Sequence, residues 1–140
     1  MNNLKLQKLL YFCEGVYAAI HKGERLIEDT DFLAWGYGPV IPEIYYRFNG
    51  YGQKDLPMIE NIDFRELTEI EIVVITNVWN KLKFQHAFDL VQATLEENSP
   101  WFNVFHHDAP GGIINHAKIY NYFNGEHHDR IEKMEKNSQN

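Results

Sequence analysis

Cysteine is almost absent from the chain: Cys13 stands alone among 140 residues. An internal disulfide is excluded, no Cys-x-x-Cys exists, and a reducing cytosol is the expected compartment. Serine is nearly as scarce. Ser99 stands beside Pro100 and Ser138 near the C-terminus, and neither lies in a G-x-S-x-G elbow, so no serine-hydrolase nucleophile is recognisable. Positive charge is short as well, with 13 Lys+Arg against 20 Asp+Glu and a formal net charge of −7. Phosphate backbones require clustered cations, so direct DNA binding is not expected. An acidic surface also disfavours anionic membranes. No segment approaches the ~18 apolar residues of a membrane span, and Met1-Asn2-Asn3 has neither the charged nor the apolar region of a secretion signal.

Aromatic residues, by contrast, are abundant at 14%. Hydrophobic residues at 44% and charged residues at 24% are ordinary values for one globular domain. Aromatics are the side chains that most often anchor protein–protein contacts.

Leu6, Leu9, Leu10, Cys13, Val16, Tyr17 and Ile20 recur at i, i+3, i+4, i+7 spacing and predict an amphipathic helix over 4–22. Asn2 or Asn3 would cap it, Cys13 falls on its core stripe, and Lys5, Lys8 and Glu14 lie off that stripe. Thr30 to Trp35 reads as a strand, and Tyr37-Gly38-Pro39 as a turn. Pro42 suits the first position of a short helix to Phe48. Pro57-Met58-Ile59 is the expected partner strand. Thr68 and Glu71 have capping-box spacing ahead of a helix through Leu82. A further helix through Leu90, Val91 and Thr94 is expected to close at Pro100, followed by a turn after Trp101 and a last helix carrying Ile114, Ala117, Tyr120 and Phe123. The expected fold is mainly α (α+β): a compact bundle of about five helices with a small two-stranded β element after the first. The domain is expected over 1–124, and 125–140 is read as a polar, frayed tail.

Two blocks then become distinctive: Leu4-Lys5-Leu6-Gln7-Lys8-Leu9-Leu10-Tyr11-Phe12, and Phe32-Leu33-Ala34-Trp35-Gly36-Tyr37-Gly38-Pro39-Val40-Ile41-Pro42-Glu43-Ile44-Tyr45. With Ser99-Pro100-Trp101 and Ile119-Tyr120-Asn121-Tyr122-Phe123 they resemble the Panacea domain, also called the SocA-like or phage-associated antitoxin domain. The resemblance is dense from Leu4 to Phe48 and looser to Phe123. It implies a noncatalytic antitoxin of a bacterial or phage toxin–antitoxin pair that binds its cognate protein toxin, the product of the adjacent gene. An alternative within the same family is an adaptor that delivers the toxin to a Clp-type protease. Members often carry a segment before the first block, sometimes a DNA-binding domain; the block here starts three residues after Met1, which argues against DNA binding by this chain. Many members also have Thr-His where this chain has Thr94-Leu95, so whatever that His does is not carried over.

The partner-binding candidates are Lys5, Lys8, Tyr37, Tyr46, Arg47, Tyr51 and Trp101. Tyr37, Tyr46 and Tyr51 read equally well as interface anchors or as plain exposed rings. For Lys5 and Lys8 a solvated helix face is the simpler reading, and for Trp101 closure of the core. Trp35, Gly36, Gly38, Pro39, Pro42 and Tyr45 are assigned a structural role in the second block; Phe32 and Phe48 are read as core. Gly36-Tyr37-Gly38-Pro39-Val40 lacks the lysine and spacing of a phosphate loop. No cofactor is expected. His106-His107-Asp108 and His127-His128-Asp129, with His116 as a third ligand, suggest a metal-dependent enzyme only weakly, because adjacent helical residues point about 100° apart.

Overall fold

The computed structural model describes residues 1–58 and 66–125. Its centre is helix α1, Asn3–Ile20, whose N-terminus is capped by Asn2 accepting from the Lys5 amide. A hairpin follows: β1, Phe32–Trp35, runs antiparallel to β2, Gly38–Val40, with Trp35 opposite Gly38 across the Gly36-Tyr37 turn. Helix α2, Pro42–Phe48, starts with proline as the sequence predicts and ends in a 3₁₀ turn, Asn49–Tyr51. Helix α3, Glu69–Leu82, opens on the complete Thr68/Glu71 capping box. Helix α4, Ala87–Thr94, is followed by α5, Pro100–Phe102, which continues into a π-helical turn, Asn103–Asp108. Strand β3, Ile113–Ile114, and helix α6, His116–Asn124, complete the described chain.

The mainly α class with a small β element is correct, but several details differ. The sheet has three antiparallel strands in the order β2-β1-β3. Pro57 and Met58 are not in a strand, and Ile59 lies outside the described residues. Ile114, placed in the last helix from its spacing, instead pairs with Phe32 in the sheet. Pro100 does not close a helix; it occupies the first turn of α5, capped by Ser99, whose hydroxyl accepts from the Phe102 amide. There are therefore six α-helices among the described residues rather than about five. The proposed tail, apart from Gly125, lies outside them.

Helix α1 packs against α2, α3, α4, α6 and β2, so it is surrounded rather than laid on a surface. Tyr11 lies at the heart of the core, edge-on to Phe12, Phe32 and Phe123 at 5.5–5.6 Å between ring centres. Gly15 lets α6 come close: a Cβ built there would overlap the ring of Phe123. Cys13 is buried as expected, and burial pushes its thiol up to about 12. Leu6 and Leu10, assigned to the core stripe, are only half-buried and line an apolar trough of about 560 Å³ with Ile44, Phe48 and Met58. Ile20, at the end of that stripe, is exposed.

Candidate functional site

The polar side of α1 builds the support for the hairpin. Asn3, Gln7 and Lys8 are all buried. Asn3 Nδ2 donates to the carbonyl of Tyr45 at 3.0 Å, and Gln7 Nε2 donates to Asn3 Oδ1 at 3.1 Å. Gln7 Oε1 accepts from the Ile41 amide at 3.0 Å, and Lys8 Nζ donates to the carbonyl of Pro39 at 2.9 Å. Successive turns of α1 thus satisfy successive backbone groups of the strand and helix that follow the hairpin turn. Burying polar groups is costly unless they are paired in this way. Lys8 was expected on a solvated face or at a partner; it is fully buried, which withdraws it from any surface contact. Burial lowers its amine to about 7.

Gly38 sits where this support meets α4. Its φ is +107°, and a Cβ there would lie 2.5 Å from Thr94 Oγ1 and 3.0 Å from Lys8 Cε. Both conformation and space therefore require glycine. A Cβ at Gly36, in the turn itself, would meet nothing within 4 Å. Pro39 lies in β2 with its carbonyl committed to Lys8, and Pro42 begins α2.

Above this support the hairpin presents aromatic rings in two directions. Trp35, half-buried, is edge-on to Tyr45 at 5.1 Å and Tyr46 at 5.9 Å on α2. Tyr37, at the turn, is edge-on to Phe88 of α4 at 6.3 Å. Tyr37, Tyr46 and Phe88 are all exposed, and Arg47 is exposed beside Tyr46 in the sequence. From beneath, Trp101 Nε1 donates to the carbonyl of Trp35 at 2.6 Å. Trp101 is buried, stacked on Phe105 at 4.7 Å, and so it braces the hairpin instead of facing a partner. Phe88 was missed in the sequence because nothing local separates an exposed phenylalanine on α4 from a core one.

The remaining partner candidates are scattered. Tyr51 is exposed in the 3₁₀ turn. Lys5 is half-buried, its Nζ donating to the Lys83 carbonyl at 2.6 Å, which ties α1 to the end of α3. Burial lowers the Lys5 amine, opposed by the nearby Asp55 carboxylate.

With this geometry in hand, comparison with known proteins is decisive. The chain matches the family model described as "Antitoxin SocA-like, Panacea domain" over residues 6–102. It belongs to that family. Antitoxin SocA of Caulobacter vibrioides (strain NA1000 / CB15N) is 44% identical over 54 residues, which are 39% of this chain and 28% of that protein. The aligned stretch therefore spans less than a third of that relative's length. No solved structure matches the chain.

The two sequence blocks through which the chain resembles the family include the residues that build the hairpin support. Gln7 and Lys8 of the first block bond the backbone of Pro39 and Ile41 in the second, and Ser99-Pro100-Trp101 supplies the brace below Trp35. Leu95 is half-buried at the end of α4.

A second polar centre of the Panacea domain lies on α1. Glu14 is buried, and its Oε2 accepts from the amides of Leu26 and Ile27, both at 2.9 Å. His116 Nδ1 lies 3.4 Å and Arg25 Nε 3.9 Å from Glu14 Oε1, while His116 Nε2 is 2.9 Å from the Gly23 carbonyl. Burial raises the Glu14 carboxyl, opposed by these hydrogen bonds and by the neighbouring His116 and Arg25. His116 thus belongs to the packing of the loop after α1. His106 and His107 are exposed on the π-helical turn, and His127, His128 and Asp129 lie outside the described residues. Among the described residues no group of three or more His, Cys, Asp or Glu is placed to hold a metal, and no helix is long and apolar enough to cross a membrane.

Proposed function

We propose that this Panacea domain is a cytosolic antitoxin that neutralises a protein toxin, encoded beside it, by binding it directly. The contact is made by the exposed rings of Tyr37, Phe88 and Tyr46, with Arg47 at the rim. The observation that carries this reading is the aromatic surface around the hairpin: Tyr37 at its turn, Tyr46 on α2 and Phe88 on α4 are all exposed, beside a support whose buried polar groups are paired with backbone. Such pre-organised aromatic anchors concentrate binding energy, since little side-chain freedom remains to be lost. The net charge of −7 supports a basic toxin surface as the counterpart, because charge of opposite sign speeds encounter. The domain covers the toxin's working surface and performs no chemistry of its own.

The test is co-expression with the product of the neighbouring gene. Restored growth and a co-purified complex are expected, both lost when Tyr37 and Phe88 are changed together to alanine. Neither complex nor rescue with the intact chain would overturn the proposal. Rescue that occurs only in cells with an active Clp-type protease, with the toxin disappearing, would replace occlusion by delivery for degradation.

A further inference from the structure

Helix α3 has two apolar faces. Val74, Val78 and Leu82 are buried toward the core. Farther round the helix Ile72, Val73 and Trp79 are 39%, 53% and 42% exposed, Trp79 at the flank where it also lines an apolar pocket with Leu6, Leu9 and Leu10 of α1. Thr76 and Asn80 are exposed between them. At about 100° per residue, Glu69, Ile72, Val73, Thr76, Trp79, Asn80 and Lys83 fall on one stripe along the helix. That stripe begins with an exposed carboxylate and ends with a lysine whose Nζ lies 5.3 Å above the ring of exposed Phe84. A soluble helix ordinarily fills its outer face with polar residues, and β-branched Ile72 and Val73 add nothing to helix propensity there.

We propose that this face is the contact with a second copy of the chain, the two α3 helices packing antiparallel about a two-fold axis at Thr76. The stripe is complementary to its own reverse. With Thr76 on the axis, Glu69 lies opposite Lys83 of the second copy, and Lys83 opposite its Glu69. Val73 meets Trp79 of the second copy, and the small Thr76 side chains allow the helices to approach. A two-fold contact uses the same patch on both chains, so each favourable pairing occurs twice. The antiparallel arrangement also sets the positive end of each helix dipole beside the negative end of the other. A parallel arrangement would oppose Glu69 to Glu69 and Lys83 to Lys83. One face of a 14-residue helix buries less than the ~800 Å² per partner of a standard interface, so the dimer is dependent on concentration. The contact uses an element other than the hairpin, α2 and α4, and does not depend on the toxin-binding reading.

The test is sedimentation of the purified full chain, without toxin, from roughly 1 µM to roughly 1 mM. A monomer–dimer equilibrium that weakens with added salt is expected. Glu69→Lys should weaken the dimer at least about tenfold, since it breaks two charge pairs at once. Glu69→Lys combined with Lys83→Glu should restore it, and Val73→Asp should abolish it while helical circular dichroism is retained. A chain that stays monomeric throughout, or a dimer indifferent to Val73→Asp, would overturn the proposal. Failure of the double reversal to restore the dimer would overturn the antiparallel register.

Discussion

Lys8 Nζ donates to the carbonyl oxygen of Pro39 at 2.9 Å, and this bond joins the first helix to the strand that follows the hairpin turn. Because the amine is fully buried, burial lowers it from 10.5 to about 7. The unfolded chain then holds one more proton than the folded chain between those values. Stability should therefore rise as pH increases from about 7, by at most about 1.4 kcal/mol per pH unit from this group. Cys13 acts in the opposite sense above the ordinary thiol value of 9.0, since the folded thiol keeps its proton up to about 12. Urea unfolding of the parent and of Lys8→Met at several pH values between 7 and 9 separates Lys8 from Lys5, whose amine burial also lowers. Lys8→Met should flatten that slope, and an unchanged slope would contradict the assignment.

The two glycines of the hairpin should behave oppositely. Gly38→Ala forces a side chain into positive φ and against Thr94 Oγ1. A loss of at least about 2 kcal/mol is expected. Gly36→Ala, with open space around it, should change stability by less than about 0.5 kcal/mol. Thermal melts of both variants give the comparison directly.

Tyr11 carries a hydroxyl that is buried without a hydrogen-bond partner, and burial raises its ionisation well above the usual tyrosine range. Tyr11→Phe keeps the ring contacts with Phe12, Phe32 and Phe123 and removes the stranded oxygen. The variant should be as stable as the parent or more stable by about 1 kcal/mol. A loss of stability in chemical denaturation would show that the hydroxyl is solvated or bonded in solution.

At the aromatic surface, Tyr37→Ala should weaken toxin binding by about 30-fold, the effect of an anchor worth about 2 kcal/mol. Its melting temperature should stay near that of the parent, because Tyr37 is exposed. Trp101→Phe should instead lower stability first, because it strands the Trp35 carbonyl that Trp101 Nε1 now satisfies. Calorimetric titration with the toxin, alongside melts, separates the two roles.

What could be read from the sequence was local. The Thr68/Glu71 capping box and the Pro42 helix start each depend on neighbours within a few residues, and each appears as expected, whereas the turn read over Tyr37-Gly38-Pro39 lies at Gly36-Tyr37, with Gly38 and Pro39 already paired in β2. Gln7, Lys8 and Glu14 were illegible because their partners lie 34, 31 and 12–13 residues away, on backbone atoms that no side-chain pattern reports. A hydrophobic stripe also presumes that one face of a helix is covered. Helix α1 has neighbours on several sides, so Lys8 is buried while Leu6 and Leu10 look into a trough. Strand β3 is only two residues long and exists through its pairing with β1, which leaves its spacing indistinguishable from a helix. Of the partner candidates, Tyr37, Tyr46, Arg47 and Tyr51 are exposed, whereas Lys8 and Trp101 are buried beneath the hairpin.

The notch at Gly15 sets an order of events on the ribosome. Helix α1 emerges before the other helices described, but the ring that fills its notch belongs to Phe123, in the last of them. Until α6 has been made, the nascent chain exposes the apolar surface around Tyr11 and Phe12 to which Phe123 packs. The residues that match the family model end at 102, before β3 and α6, so that segment alone leaves this seam open. Docking of α6 on α1, rather than formation of the hairpin, should therefore be the step that closes this seam to proteases. A cut between β3 and α6 should return the protein to the vulnerability of a nascent chain.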